Sequence, residues 1–89
     1  MSVRWREDKA IALSGDSGLD DAEPLLRMLS AHPGAPVDWR QCEGAHAAIL
    51  QILMASGAPL AGPPSGANLR NIVEPALTRY RERGFREHS

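Results

Sequence analysis

Four clusters in this chain hold residue types that could do chemistry. Gly15-Asp16-Ser17-Gly18 is the setting of a nucleophilic serine in serine proteases, and Cys42 and His46 stand four apart, close enough to share a metal at a helix start. "GPPSGAN", residues 62–68, places glycines and a serine ahead of a helix, as phosphate-binding loops do, and Asp16, Asp20, Asp21 and Glu23 offer paired carboxylates. Each falls short of its chemistry. A serine hydroxyl needs a base, a histidine oriented by a carboxylate and lying earlier in the protease chain, but His32, His46 and His88 all follow Ser17. Two ligands do not make a zinc site, which wants three or four. Residues 62–68 lack the Lys-Ser/Thr ending and the spacing of a P-loop. The carboxylates have no apolar pocket to separate their pKa values. Turn and cap roles are therefore expected for Ser17, Ser65 and the acids, and no catalytic residue, metal or cofactor is expected. Cys42 ahead of a helix N-terminus would feel a dipole that lowers a thiol pKa, which Glu43 opposes.

The elements that position these residues follow from spacing. "SVRWRE" and "KAIALSG" read as an antiparallel strand pair, the second strand ending at Leu13 in a Gly-rich turn. Asp20 with Glu23 has the capping-box form and Pro24 falls in the first turn, so a helix starts near Asp20 with Ala22, Leu25, Leu26 and Leu29 on one face. "HPGAP" stops it. "PVDW" is a short strand with Val37 and Trp39 on one side and Asp38 on the other. After "RQCEG" comes a second helix, "AHAAILQILMAS". "APLAGPP" supplies a brief strand. From Asn68 the stripe Leu69, Ile72, Val73, Ala76, Leu77, Tyr80 reads as a third helix, with a kink, or a division into two pieces, near Glu74 because of Pro75. Strands alternating with helices imply parallel pairing, so the fold class expected is α/β: a small mixed sheet with about three helices.

Composition narrows the function classes. The 89 residues are expected to form a single domain, 1–89, near the lower end of what buries an adequate core without staples. One cysteine permits no internal disulfide and suits a reducing cytoplasm. No apolar run reaches the roughly 18 residues of a membrane span, and the charges from Arg4 to Lys9 do not resemble a signal peptide. A net charge of −1 gives no general pull toward nucleic acid or anionic lipid. Arg79, Arg81, Arg83 and Arg86 read as a solvated helix end. Trp5 and Trp39 read as sheet residues rather than a stacking platform. A cytoplasmic protein with no nucleic-acid partner and no membrane insertion is the expectation.

The second helix carries more apolar surface than a sheet needs. Ala45, Ala48, Ile49, Ile52 and Leu53 form one face, and His46, Ala47, Leu50, Gln51 and Met54 form the opposite one, which has no charge. Neighbouring helices, a second copy of the chain as a homodimer, or a different protein could cover it. Exposed apolar patches mark interaction sites, and His46, Ala47, Leu50, Gln51 and Met54 are the candidate partner-binding residues.

The run "PVDWRQCEGAHAAILQILMASGAPL" resembles the central strand, loop and helix of STAS domains, the fold of bacterial anti-sigma factor antagonists, and the element order agrees from about Lys9 to Leu77. The resemblance implies docking through this same helix face and the adjacent loops, to a kinase-like regulator. It also implies a phosphoacceptor Ser or Thr opening the helix. Here that position is Ala47, and the family's aspartate falls on His46, so the usual phosphoswitch is absent. The short proline-rich fourth strand region and the lack of a clear fifth strand also depart from the pattern. The function expected is a non-catalytic protein-interaction module in bacterial regulation or signalling. Alternatives are an accessory subunit resting on a membrane-transport ATPase, a role the same fold takes, and a small-ligand or nucleotide sensor using Gly15–Gly18 and Gly62–Gly66.

Overall fold

The computed structural model describes residues 2–79, so Tyr80 and, of the arginine-rich end, Arg81, Arg83 and Arg86 lie outside the described residues. Two strands come first, β1 (Val3–Trp5) and β2 (Ile11–Ser17), followed by a 3-10 turn over Leu19–Asp21 and helix α1 (Ala22–Ala31). Then come β3 (Val37–Ala45), α2 (Ala47–Ser56), β4 (Leu60–Ala61) and helical residues 67–79, here α3. The sheet order is β1-β2-β3-β4, with β1 antiparallel to β2 and the other pairs parallel. This is the expected α/β class and the expected order of elements.

Alternation assigns the two faces. Val3, Ile11, Leu13, Val37 and Trp39 are buried, and Leu25 of α1 with Ile49 and Leu53 of α2 packs among them. Each of those three helix residues, fully buried, contributes roughly 1.5–3 kcal/mol over exposure. α1 and α2 lie side by side on that face. Arg4, Ala12 and Asp38 occupy one row on the other face.

Several boundaries differ from the sequence reading. β2 does not end at Leu13 but runs to Ser17, and β3 does not end after Trp39 but continues through "RQCEG" to Ala45, because the two strands pair all the way to Ser17↔Ala45. Two register shifts make this fit: Asp38 to Gln41 spans what Ala12 to Ser14 spans, and Cys42 to Gly44 spans Gly15 to Asp16. Such bulges re-aim side chains. α1 begins at Ala22 rather than Asp20, and the carboxylate that accepts at the turn is that of Asp21, from Gly18 N–H at 3.0 Å. α2 closes at Gly57, whose φ of 67° is the left-handed conformation that glycine tolerates at a helix end. In α3 the irregularity is a π-helical turn over Leu69–Val73, just ahead of Pro75. The π turn breaks the expected stripe: Leu69 and Leu77 are buried, while Ile72 is 66% exposed.

Candidate functional site

β2 and β3 both end at α2, and backbone bonds fix how it begins. His46 N–H donates to Ser17 O at 2.8 Å, tying the helix start to the end of β2. The extended His46 is the N-cap, its Nδ1 accepting Ala48 N–H at 3.0 Å, so the other ring nitrogen points away from the helix. His46, Ala47 and Gln51 are exposed. Leu50 and Met54 are only half-exposed and pack against the core cluster that contains Leu69 and Leu77. The five residues expected to form one docking face therefore separate, three facing solvent and two turned toward the core.

An open apolar surface lies on the α1 side of α2. There a groove of about 850 Å³ runs between the helices, lined among others by Leu26, Leu29, Ala48, Gln51, Ile52 and Ala55. Leu26, expected on the core face of α1, is 50% exposed at its edge. Small residues hollow the groove: Ala22, Ala48, Ala55 and Gly57 stand where larger side chains would close it. That run of small residues is the sequence signal that could have located it.

Under the strand ends lies a polar knot. Ser2 Oγ donates to Asp21 Oδ2 at 2.7 Å and meets Ser17 Oγ at 3.0 Å, while Ser2 N–H reaches Asp21 Oδ1 at 3.3 Å. The Ser2 hydroxyl holds the Asp21 carboxyl below its usual range, against the opposing effect of burial. Ser17 is 2% exposed and contacts Cys42 Sγ at 3.9 Å, and no histidine side chain among the described residues bonds to it. It is a structural hydroxyl. Cys42 donates to Gly44 O at 3.2 Å, and burial pushes its thiol pKa up, opposite to what a reactive thiol requires. No three His, Cys, Asp or Glu side chains among the described residues gather as metal ligands.

The glycine loop at residues 62–68 is held by backbone contacts. Gly66 N–H and Ser65 Oγ both donate to Cys42 O, at 3.1 Å each, and a side chain on Gly66 would overlap the Glu43 carbonyl. The loop is pinned to β3. Glu23 pairs with Arg27 one turn on at 3.1 Å, and Trp5 stacks on His32 with ring centroids 3.7 Å apart. No helix among the described residues is long and apolar enough to cross a membrane. Comparison of the chain with protein-family models, curated proteins and solved structures finds no match.

Proposed function

We propose that the protein is a non-catalytic, cytoplasmic protein-interaction module of a bacterial regulatory system, resembling an anti-sigma factor antagonist without the phosphoacceptor. The observation that carries this reading is the open groove between α1 and α2, with half-exposed Leu26 on its edge and uncharged Gln51 and Ala48 on its wall. Apolar concavities between helices suit an inserted side chain or helix ridge of a partner. Exposed Ala47 and His46, at the start of α2, extend the surface toward the strand ends. Ala47 offers no hydroxyl, so partner choice there depends on shape rather than phosphorylation.

The test uses residues that the fold does not need. Leu26→Arg with Gln51→Arg changes two exposed groove positions and should leave the circular dichroism native. Affinity capture from the native cell with wild type and variant, followed by titration of the purified captured protein, reads the interface directly. A protein bound saturably by the wild type and at least tenfold more weakly by the variant is the expected result, and its nature, a kinase-like regulator or a transport ATPase, selects the regulatory role. Equal binding by both forms would remove the groove from the interface. Stabilisation by a nucleotide or metabolite without any protein partner would favour a ligand sensor instead.

A further inference from the structure

The face of the sheet opposite α1 and α2 carries a hollow of about 90 Å³, lined by Arg4, Arg6, Ser14, Asp38, Arg40 and Gln41 together with Ala12 and Leu13. Its centre is Asp38, whose side chain is only 7% exposed. Two guanidinium groups converge on that carboxylate. Arg6 Nη1 donates to Oδ2 at 2.6 Å, Arg40 Nη2 to Oδ2 at 2.7 Å, and Arg40 Nε to Oδ1 at 3.0 Å. The Arg40 backbone N–H, at a position the β3 bulge leaves without a ladder partner on β2, donates to Oδ1 at 3.0 Å as well. Four donors occupy the roughly four acceptor sites a carboxylate has, so Asp38 can take no further cation.

Arg6 spends its remaining face on Asp8, with bonds of 3.0 and 2.9 Å. Arg4 is left over. It stands one row across from Ala12, in line with Asp38, and its guanidinium has no carboxylate partner among the described residues. Among the described residues, the groups lining the hollow or bonded to it comprise three arginines, Arg4, Arg6 and Arg40, and two carboxylates, Asp8 and Asp38, an excess of one positive charge. Ser14 Oγ and the Gln41 amide, on the same wall, also have no partner among the described residues.

We propose that this hollow binds one small free oxyanion of the phosphate or carboxylate class, held by Arg4 and the outer nitrogen of Arg40, with Ser14 and Gln41 donating from the wall. Asp38 is the positioning residue. By saturating one edge of Arg40 it fixes the guanidinium plane, so the remaining N–H groups are presented to the ligand without the ordering cost of a free side chain. The volume sets the ligand's size: pockets that take nucleotide-sized molecules begin at about 300 Å³, so a single anionic group fits and a nucleotide does not. The site is on the other side of the sheet from the α1–α2 groove and is independent of the reading of that groove.

Arg4→Gln is the decisive variant, because the Arg4 side chain makes no hydrogen bond or ion pair among the described residues, and its backbone pairing with Ala12 does not depend on the side chain. Backbone amide chemical shifts of the full chain are followed during titration with inorganic phosphate, and separately with acetate, at constant ionic strength maintained with chloride. Saturable shifts centred on residues 4, 14, 40 and 41 with either anion, weakened at least tenfold in Arg4→Gln and several-fold in Ser14→Ala, are expected. Native dispersion in the free variants keeps that comparison interpretable. Absence of saturation with both anions, or equal affinity in wild type and Arg4→Gln, overturns the proposal.

Discussion

Asp38 gathers four hydrogen-bond donors, three of them from arginine guanidinium groups. Arg40's guanidinium foremost, then its backbone N–H and Arg6, hold the carboxyl well below the usual carboxylate range, although burial opposes them. A carboxylate with a depressed folded pKa contributes stability that is fully present above the unfolded value of about 4 and is lost as pH falls from there through the folded value. Asp38→Asn keeps the shape but removes the charge. Because Arg6 and Arg40 remain partly solvated, with side chains 29% and 61% exposed, the expected loss at pH 7 is modest, about 1–2 kcal/mol. Urea midpoints for the two proteins should differ by a constant amount from pH 7 to about 5 and begin to converge below about pH 4, the gap shrinking steadily as the pH falls further. A gap that persists undiminished at pH 2.5 would mean that the cost of the substitution is steric rather than ionic.

Among the elements, α2 shows why a helical wheel could not choose a docking face. The helix is apolar nearly all round, the pattern of a buried helix, and its sequence contains no charge to mark an outside. The structure turns Leu50 and Met54 toward a core cluster to which β-strands, α1 and α3 all contribute, Leu69 and Leu77 among them, so the choice depends on segments distant in the sequence. The same limit shortened the strands in the sequence reading. Ser14 to Ser17 and Gln41 to Ala45 are glycine-rich or polar, and only their mutual parallel pairing makes them extended. The strand and helix order was legible because "HPGAP" and "GPP" are local breakers, and Asp38 was placed correctly opposite Trp39 by simple alternation. The groove was missed, because its small residues, Ala22 on α1 and Ala48 and Ala55 on α2, mark a hollow only once the two helices are known to lie side by side. The wheel and the structure make opposite predictions for two substitutions. Leu50→Asp and Met54→Asp each put a charge beside the core and should lower stability by more than about 2 kcal/mol, whereas Gln51→Asp, on the exposed side, should change it by less than about 0.5 kcal/mol. Three thermal melts decide between the two arrangements: equal midpoints would restore Leu50 and Met54 to the surface.

For the whole molecule, the question is whether this small core opens in parts or all at once. Cys42 provides a probe at its centre, because the thiol has no exposure and lies on β3 against Ser17 of β2, with Gly44 O as its acceptor. α3 is anchored to the same place: Ser65 and Gly66, just before it, bond to the Cys42 carbonyl. Reaching the sulfur therefore means separating the two central strands, and no peripheral fraying of β1 or β4 suffices. Alkylation of Cys42 should accordingly be slow in native buffer and should accelerate with urea along the slope that describes global unfolding. Burial also pushes the thiol pKa up, so raising the pH by one unit within the native range should speed labelling only as it does for the unfolded chain. The measurement is a quenched thiol-labelling time course at several urea concentrations, read by mass, beside the urea transition followed by circular dichroism. Matching slopes would show one cooperative unit in which the polar knot, the sheet and the α1–α2 groove persist or vanish together, so any ligand that stabilises one must protect Cys42. Rapid labelling that is insensitive to urea would show instead that β2 and β3 part locally in the native state, and the start of α2, tied to Ser17 by His46, would have to move with them.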